Sequence, residues 1–468
     1  MKDEQALLLK AGQFGAKISD SAKRHENILV ACHYDADGIC SAALISQFIY
    51  KNEGHCEIRA ISEPSAKNLE RIRAANFDLV IFADLGSGIS DAISKFLGDK
   101  WLIIDHHGIS EDELKKEASQ KILNPWQFGY DGSKDISCAG LSYYLTERGR
   151  NDLSSFLALV GALGDAQDVG PRKSLIELNA KIAETASSSH QITTRVDLLF
   201  QGRDVRPIHE AVANSVFCFL PGLTGNKDAC LASLRSAGLD LKINARWKTI
   251  GDLGEEEKQQ VLSAILPHLS GTTIAVDELV GTVYCSNSVD EYSLAHDARD
   301  FASLLSASGR TGKSGIAISL CLGTSPDLTN EIEAEFSHYR TELVRNVQGL
   351  ISSPDRFVDR QHYSLILGDG ILNEKMTGAV CQVLSTLNRS KNKIVFLRTT
   401  TQDGDVKVSA RLGKGVEIDL GAMMHSIAQA TFGVGGGLST RAGSKFSIAR
   451  QQEFQAAVDV QFQTLQMK

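Results

Sequence analysis

The stretch Ile28-Leu29-Val30-Ala31-Cys32-His33-Tyr34-Asp35-Ala36-Asp37-Gly38 bears on fold and chemistry together. Its apolar run is too short for an ordinary helix and reads as a buried strand, closed by a polar segment with a histidine, two aspartates and a glycine. The same punctuation recurs further on: Leu79–Ala83 runs into Asp84, and Trp101–Ile104 runs into Asp105-His106-His107. Stretches of helical periodicity, such as Ser41–Tyr50 and Asn68–Ala75, lie between them. Strands alternating with helices predict a parallel sheet covered on both faces, and in such sheets ligands gather beyond the carboxyl ends of the strands. A further carboxylate, Asp165, follows the apolar helical stretch Leu153–Leu163 and is expected at the same edge.

In an extended segment His33, Asp35 and Asp37 would alternate with Tyr34 and Ala36 and point to one side. With Asp84, His106 and Asp165 they offer oxygen and nitrogen donors and no cysteine. That donor set suits manganese, with magnesium as the alternative, and not structural zinc. It also exceeds the needs of one catalytic ion that keeps open positions. Two divalent cations roughly 3.5–4 Å apart, bridged by a carboxylate, would use it fully. Taken singly, each residue suits a turn, a helix cap or a satisfied histidine, and Asp37-Gly38 is a good turn pair. Packed together at one edge, the carboxylates are costly unless cations neutralise them.

Strand and helix patterns return late in the chain. Tyr363–Leu367, Lys393–Leu397 and Val406–Ala410 read as strands, Glu374–Leu387 and Leu420–Ala430 as helices, and Gly433–Gly437 as a glycine-rich turn. The region between reads mainly helical, for example over Glu291–Ser306, with a strand-like pair at Thr273–Val276 and Ile316–Leu322. The expected fold class is therefore α/β: a parallel-sheet domain over 1–194, a mainly helical connecting region over 195–357, and a smaller α/β domain over 358–468.

Bulk properties narrow the class. Of the 468 residues 43% are apolar and 23% charged, as in ordinary folded proteins. A net charge of −8 excludes a globally basic nucleic-acid coat, though bound cations and local basic patches can supply the same field. No apolar run approaches the ~18 residues of a membrane span, so no membrane partner is expected. Acidic residues follow Met1-Lys2 where a signal peptide would be basic and then apolar. The nine cysteines are scattered without a C-x-x-C pair, which fits reduced thiols in a cytoplasmic protein.

His33-x-Asp35-x-Asp37-Gly38, the lone Asp84, Asp105-His106-His107 and Asp165 resemble, in order and placement, the four motifs of the DHH phosphoesterases. The resemblance implies that His33, Asp35 and Asp84 hold one ion and that Asp37, Asp84, His106 and Asp165 hold the other, with Asp84 as the bridge. It further implies that His107 faces the scissile phosphate, that Asp105 orients the histidines, and that a metal-activated water hydrolyses the phosphodiester. Val408-Ser409-Ala410-Arg411 resembles the strand motif of the DHH-associated domain, whose arginine grips a substrate phosphate. Gly435-Gly436-Gly437-Leu438-Ser439-Thr440-Arg441-Ala442-Gly443 resembles its glycine-rich loop, with Leu438 where the family has histidine and Arg441 able to compensate. The substrate-binding residues implied are Ser409, Arg411, Gly435, Gly436, Gly437 and Arg441.

Phe219–Leu223, Asp297–Ala302, Ser308–Arg310 and Cys321–Gly323 resemble segments of the archaeal RecJ-like branch. That branch implies an exonuclease on single-stranded DNA or RNA, with the GINS replication complex as a possible partner. The alternatives are a small-substrate phosphodiesterase acting on oligonucleotides or cyclic dinucleotides, and a GINS-bound structural component of the replisome. Ala307–Ser314 nearly spells a phosphate-binding P-loop but lacks its first glycine and follows a helical pattern, not a strand. Arg310 and Lys313 there could touch a nucleic-acid backbone or simply be solvated. Trp126 and Phe128 could stack on a base or pack against the helix expected over Ser137–Glu147.

Overall fold

In the computed structural model, residues 2–147, 150–323 and 327–466 are described, so Met1 of the N-terminal reading lies outside them. Strands β1 (Ile28–Cys32), β2 (Cys56–Ala60), β3 (Leu79–Ala83), β4 (Trp101–Ile104) and β5 (Ile122–Leu123) form a parallel sheet in the order β2-β1-β3-β4-β5. Cys32 pairs with Ala83, and Ala83 with Ile104. The three central strands therefore end level, and the next residue of each, His33, Asp84 and Asp105, starts from the same edge.

Strands β1 and β4 are buried at every position, as expected of a parallel sheet covered on both faces. On one face Leu29, Ala31, Phe82, Trp101 and Ile103 pack with Leu69, Ile72 and Ile93 of the helices Ala66–Ala74 and Ser90–Leu97. Each such leucine, isoleucine or phenylalanine, fully buried, stabilises the fold by roughly 1.5–3 kcal/mol. The helix Ala36–Lys51 covers the other face and packs against Cys138–Leu145, Ser154–Gly164 and Ala298–Arg310. Strands β6 (Ile192–Leu198) and β9 (Val280–Ser286) form a separate two-stranded sheet.

The chain divides into two compact units: Met1–Asp197 with Val280–Phe336, and Leu198–Leu279 with Ser337–Lys468. The connecting region is thus shared between them. The second unit contains a small hairpin, β7 (Lys242–Ile243) and β8 (Arg246–Trp247), turned by Asn244 and Ala245 at positive φ. Its main sheet comprises β10 (Phe357–Asp359), β11 (Tyr363–Leu367), β12 (Ile394–Thr400), β13 (Asp405–Leu412), β14 (Val434–Gly437) and β15 (Arg441–Ser447), in the order β10-β11-β12-β13-β15-β14. Only the β11–β12 pairing is parallel among its described pairs. Phe396, Val406, Val408, Ala410 and Phe446 pack with Met424 and Ile427 of the helix Leu420–Ala430.

Three sequence expectations are corrected. Ile316–Leu322 is not a strand: Ser314–Cys321 is a helix, and Thr273–Val276 lies in none of the strands among the described residues. A short apolar run cannot by itself separate the two states. Gly433–Gly437 is more than a turn, because Val434–Gly437 pairs antiparallel with β15 as an edge strand. The helix expected from Glu291 begins at Ala298, where the Asp297 side chain accepts from the Arg299 and Asp300 amides. Cys56 is half-buried and the other eight cysteines are buried, all as free thiols. Among the described residues no helix is long and apolar enough to cross a membrane.

Candidate metal centre

The polar segment after β1 does not stay extended. Asp35 caps the helix Ala36–Lys51, accepting from the Gly38 amide at 3.2 Å. Asp37 consequently lies in the first helical turn and does not alternate with His33 and Asp35 along a strand. The three side chains separate instead of sharing one row. His33 Nδ1 lies 2.8 Å from Asp35 Oδ2 and 3.5 Å from Asp84 Oδ2. Asp37 turns inward, fully buried, and accepts from the Cys138 and Ala139 amides at 2.7 and 2.8 Å, at the start of the helix Cys138–Leu145.

Asp84 stands between these groups. Its backbone is left-handed, φ 66°, a conformation that costs a non-glycine residue stability and often marks a working site. His106 Nε2 lies 3.2 Å from Asp84 Oδ1, 2.9 Å from Asp165 Oδ2 and 3.5 Å from Asp37 Oδ2. Asp165 arrives as the C-terminal cap of the helix Ser154–Gly164. Gly161 in that helix allows the approach, since a Cβ there would sit 2.3 Å from Asp37 Oδ1. Among the described residues the donor atoms form three groups that share Asp84, each within 4.8 Å: His33, Asp35 and Asp84; Asp37, Asp84, His106 and Asp165; and Asp84, His106 and His107.

Both Asp84 carboxylate oxygens, His33 Nδ1 and His106 Nε2 are buried yet make no well-formed hydrogen bond, despite those short separations. Buried polar atoms are almost always satisfied, and unsatisfied acceptors gathered around Asp84 in these ligand groups fit bound cations. Electrostatics agrees. Burial and the neighbouring Asp84 and Asp165 push Asp37 well above the usual carboxylate range. Burial and Asp35 likewise raise Asp84. Burial opposes the charged form of His33, but Asp35 and Asp84 outweigh it and raise the imidazole well above its ordinary value. His106 is raised in the same way, against burial, by Asp165 and Asp84. A bound divalent cation would relieve both the crowded carboxylates and the need for protons on the rings.

Residues that sequence reasoning missed hold these groups in place. His106 Nδ1 meets the Gly132 carbonyl at 2.5 Å, which puts the proton on Nδ1 and leaves Nε2 as the donor. The same carbonyl accepts from Gln167 Nε2 at 2.9 Å, and Asn179 Nδ2 donates to Gln167 Oε1 at 2.6 Å. Trp126, half exposed, donates its indole N–H to the His106 carbonyl at 3.2 Å, a backbone role that neither base stacking nor helix packing anticipates. Asp105 accepts from Ser87 N at 3.0 Å and from His107 Nδ1 at 2.7 Å. Burial would raise Asp105, but His107 holds it well below the usual carboxylate range. His107, whose side chain is 34% exposed, is raised by Asp105 against burial. Asn124 Nδ2 donates to the His107 carbonyl and to Ser87 Oγ, each at 3.0 Å. Gln167 stands two residues past Asp165 and Asn124 precedes Pro125, yet nothing in their spacing marks them.

The helix Ala298–Arg310 braces the β1 loop. Ser306 Oγ accepts from Ala36 N at 3.2 Å, and a Cβ on Gly309 would strike the Tyr34 carbonyl at 1.6 Å. The apparent P-loop is therefore the end of this helix and the turn after it, and Lys313 reaches Glu331 at 3.5 Å.

In the second unit the β13–β15 register sets Arg411 opposite Arg441 and Ser409 opposite Gly443, and β14 sets Gly436 opposite Gly443. Cross-strand partners share a face, so two guanidinium groups and a side-chain-free strip lie together. Arg411 Nε donates to Gln382 Oε1 at 3.0 Å from the helix Thr377–Ser385. A Cβ on Gly378 would lie 3.3 Å from Arg411 Nη2. Leu438 is only 6% exposed and packs as a core residue.

Comparison with known proteins follows the same lines. Residues 27–164 match the DHH family, N-terminal domain, and residues 199–280 match the DHH-CID domain. The uncharacterized protein MJ0831 of Methanocaldococcus jannaschii is 26% identical over 449 residues, 92% of each chain. Among solved structures, CDC45 from Entamoeba histolytica superposes over 96% of this chain and 98% of its own with a TM-score of 0.62 at 11% identity. RecJ from Thermus thermophilus in complex with Mn2+ superposes over 96% of this chain with a TM-score of 0.56 at 16% identity. This chain spans 54% of that RecJ. At these identities the likeness is one of fold.

Proposed function

We propose that this chain, built on a DHH family N-terminal domain, is a metal-dependent phosphodiesterase that degrades single-stranded DNA or RNA from an end. The observation that carries the reading is the set of buried, unsatisfied donor atoms on Asp84, His33 and His106 gathered in the ligand groups around Asp84. His33, Asp35 and Asp84 would hold one divalent cation, and Asp37, Asp84, His106 and Asp165 the other. Manganese or magnesium bound there supplies an acidified water for attack on phosphorus and positive charge against the phosphate oxygens.

The protein's own groups do the remaining work. Asp105 Oδ1 accepts a hydrogen bond from His107 Nδ1 at 2.7 Å, which leaves Nε2 for a substrate oxygen. Against burial, Asp105 raises the His107 pKa and so favours the protonated ring, whose Nε2–H can donate a hydrogen bond to a phosphate oxygen as charge builds there. Asp37, held by two backbone amides, and His106, held by Gly132, keep their positions before substrate arrives, so little reorganisation is needed. In the second unit Arg411 and Arg441, with Ser409 and the Gly435–Gly437 strip, would bind backbone phosphates.

A structural role on the GINS complex without turnover is the rival reading. Ligating residue types at all the expected positions favour turnover, which does not preclude GINS as a partner. The test is an end-labelled single strand of about twenty nucleotides, as DNA and as RNA, with manganese or magnesium. Progressive shortening supports the proposal. Cleavage of di- to tetranucleotides alone would move the substrate to the small-molecule class. No turnover by a folded chain that binds GINS would leave only the structural role.

A further inference from the structure

We propose that the second unit holds a binding site for a phosphate group in a recess between the helices Ile208–Asn214 and Asp327–Ile351 and the start of the helix Lys227–Ser236. The recess encloses about 390 Å³, within the range of small-ligand sites. From the long helix, Ser337, Arg340, Thr341 and Arg345 line it, at spacings that place them along one face. Asn214 and Lys227 line it from the other elements. The polar lining is made of amide, hydroxyl, ammonium and guanidinium groups, without a carboxylate or an aromatic ring. Glu210, 3.1 Å from Lys227, and Glu342, 3.8 Å from Arg345, hold those cations from outside the lining.

Two buried groups make this a built site and not a basic surface. Arg340 is 9% exposed, and its Nη2 donates to Ser337 Oγ at 3.3 Å, which fixes a charge in the wall. Asn214 is 6% exposed, and its Nδ2 meets no acceptor. A buried N–H without a partner calls for an explanation, and an oxyanion in the recess supplies the missing acceptor. The Asn226 side chain caps the helix Lys227–Ser236, whose positive dipole end therefore adjoins the recess at Lys227. A lone carboxylate would leave most of these donors unmet, whereas phosphate oxygens accept from several at once. Without an aromatic ring, the recess reads the phosphate and not a base. The phosphate could come from a free nucleotide or from a nucleic-acid backbone. The inference does not depend on the hydrolytic reading, because no residue of the metal centre contributes to the recess.

The test uses the full chain, freed of metal with a chelator, and calorimetric titration with inorganic phosphate and adenosine monophosphate at constant ionic strength. Saturable binding is expected. The double variant Lys227→Gln/Arg345→Gln alters side chains that are 53% and 76% exposed, so it spares the fold, and it should weaken binding about tenfold or more. Asn214→Asp, nearly isosteric, puts a negative charge in the recess and should abolish binding, with its melting curve checked against the parent. Arg411→Gln/Arg441→Gln, which removes the arginines proposed above to grip backbone phosphate, should retain the saturable binding that the recess variants lose. Competition with a single strand lacking terminal phosphates assigns the source: displacement of the monophosphate points to backbone phosphate, and no displacement points to free nucleotide. Heat that does not saturate, equal binding in the recess variants, or loss only in the Arg411→Gln/Arg441→Gln chain would each overturn the proposal.

Discussion

The carboxylate and histidine cluster of the first unit and the arginine pair of the second are opposite kinds of site. In the first, carboxylates and imidazoles are crowded in a mostly buried cluster, and three of them have a neighbour that fixes them: Gly132 behind His106, two amides behind Asp37, Asp105 behind His107. In the second, positive groups are half-buried on a sheet face, set by strand register and by Gln382. A buried cluster concentrates its effect, because low dielectric magnifies each charge and no water substitutes for a lost ligand. A half-exposed cationic face spreads its effect over several contacts that solvent can partly replace. If the comparison holds, single substitutions should act steeply in the first site and gradually in the second.

The largest effect belongs to Asp84, shared by all three ligand groups. Asp84→Asn keeps a residue type that tolerates φ near 66° but removes the shared charge. Hydrolysis with manganese should fall about a thousandfold or more. The metal-free chain should melt no lower than the parent, because one crowded carboxylate has gone. A variant that keeps its activity breaks the assignment of the bridge. One that loses both activity and stability shows Asp84 to be mainly structural.

Next comes Asp105→Asn, which leaves the cation ligands untouched and acts through His107. Hydrolysis should drop about a hundredfold. The sign of the pH effect is set by two opposed influences: burial lowers the His107 pKa, and the Asp105 charge more than offsets it. Removing that charge leaves burial and His106, which lower the pKa, opposed only by Asp84, so the alkaline limb, where protonated His107 is lost, should move to lower pH. A pH–rate profile that keeps its shape while its height falls would show that Asp105 acts by some other route.

The difference between the sites also explains what could be read in the sequence. The strand ends at Cys32, Ala83 and Ile104 were legible because fully buried parallel strands are short apolar runs, and a parallel sheet levels their ends. Strands Cys56–Ala60 and Ile122–Leu123 were not: one lies at a half-exposed edge with charged residues, and the other is two residues long. The ligand residue types were visible, but the route by which Asp37 reaches the centre was not. Asp35 caps a helix, so the alternation expected of an extended segment ends one residue later. Gly132, Gln167, Asn179, Ser87 and Asn124 left no pattern because their contacts depend on chain segments brought together only by folding. Gly433–Gly437 has the composition of a turn, and only the hydrogen-bonding edge of β15 makes part of it a strand.

In the second unit the expected response is graded. Arg411→Gln or Arg441→Gln should raise KM for a single-stranded substrate about tenfold with kcat nearly unchanged, since a backbone-phosphate contact binds ground and transition states alike. Each should also flatten the dependence of log KM on log salt concentration by about one phosphate's share. A fall in kcat equal to the loss in kcat/KM would place these arginines in the chemistry and erase the contrast between the two sites.

The smallest effect on turnover is expected at Leu438, although there the family resemblance would place a histidine. Leu438 is 6% exposed, and its amide donates to the Arg441 carbonyl at 2.8 Å, closing the β14–β15 turn. Its side chain is therefore packed away from solvent and offers no polar group to a phosphate. Leu438→His would bury an imidazole without a designed partner and should cost about 1–3 kcal/mol of stability, read as an earlier denaturant midpoint with an unchanged slope. Turnover by the folded fraction should stay within about twofold of the parent, because Arg411 and Arg441 keep their register. A gain in affinity for the single strand, without loss of stability, would mean instead that this position opens toward substrate and that the second unit can regain the missing contact by one substitution.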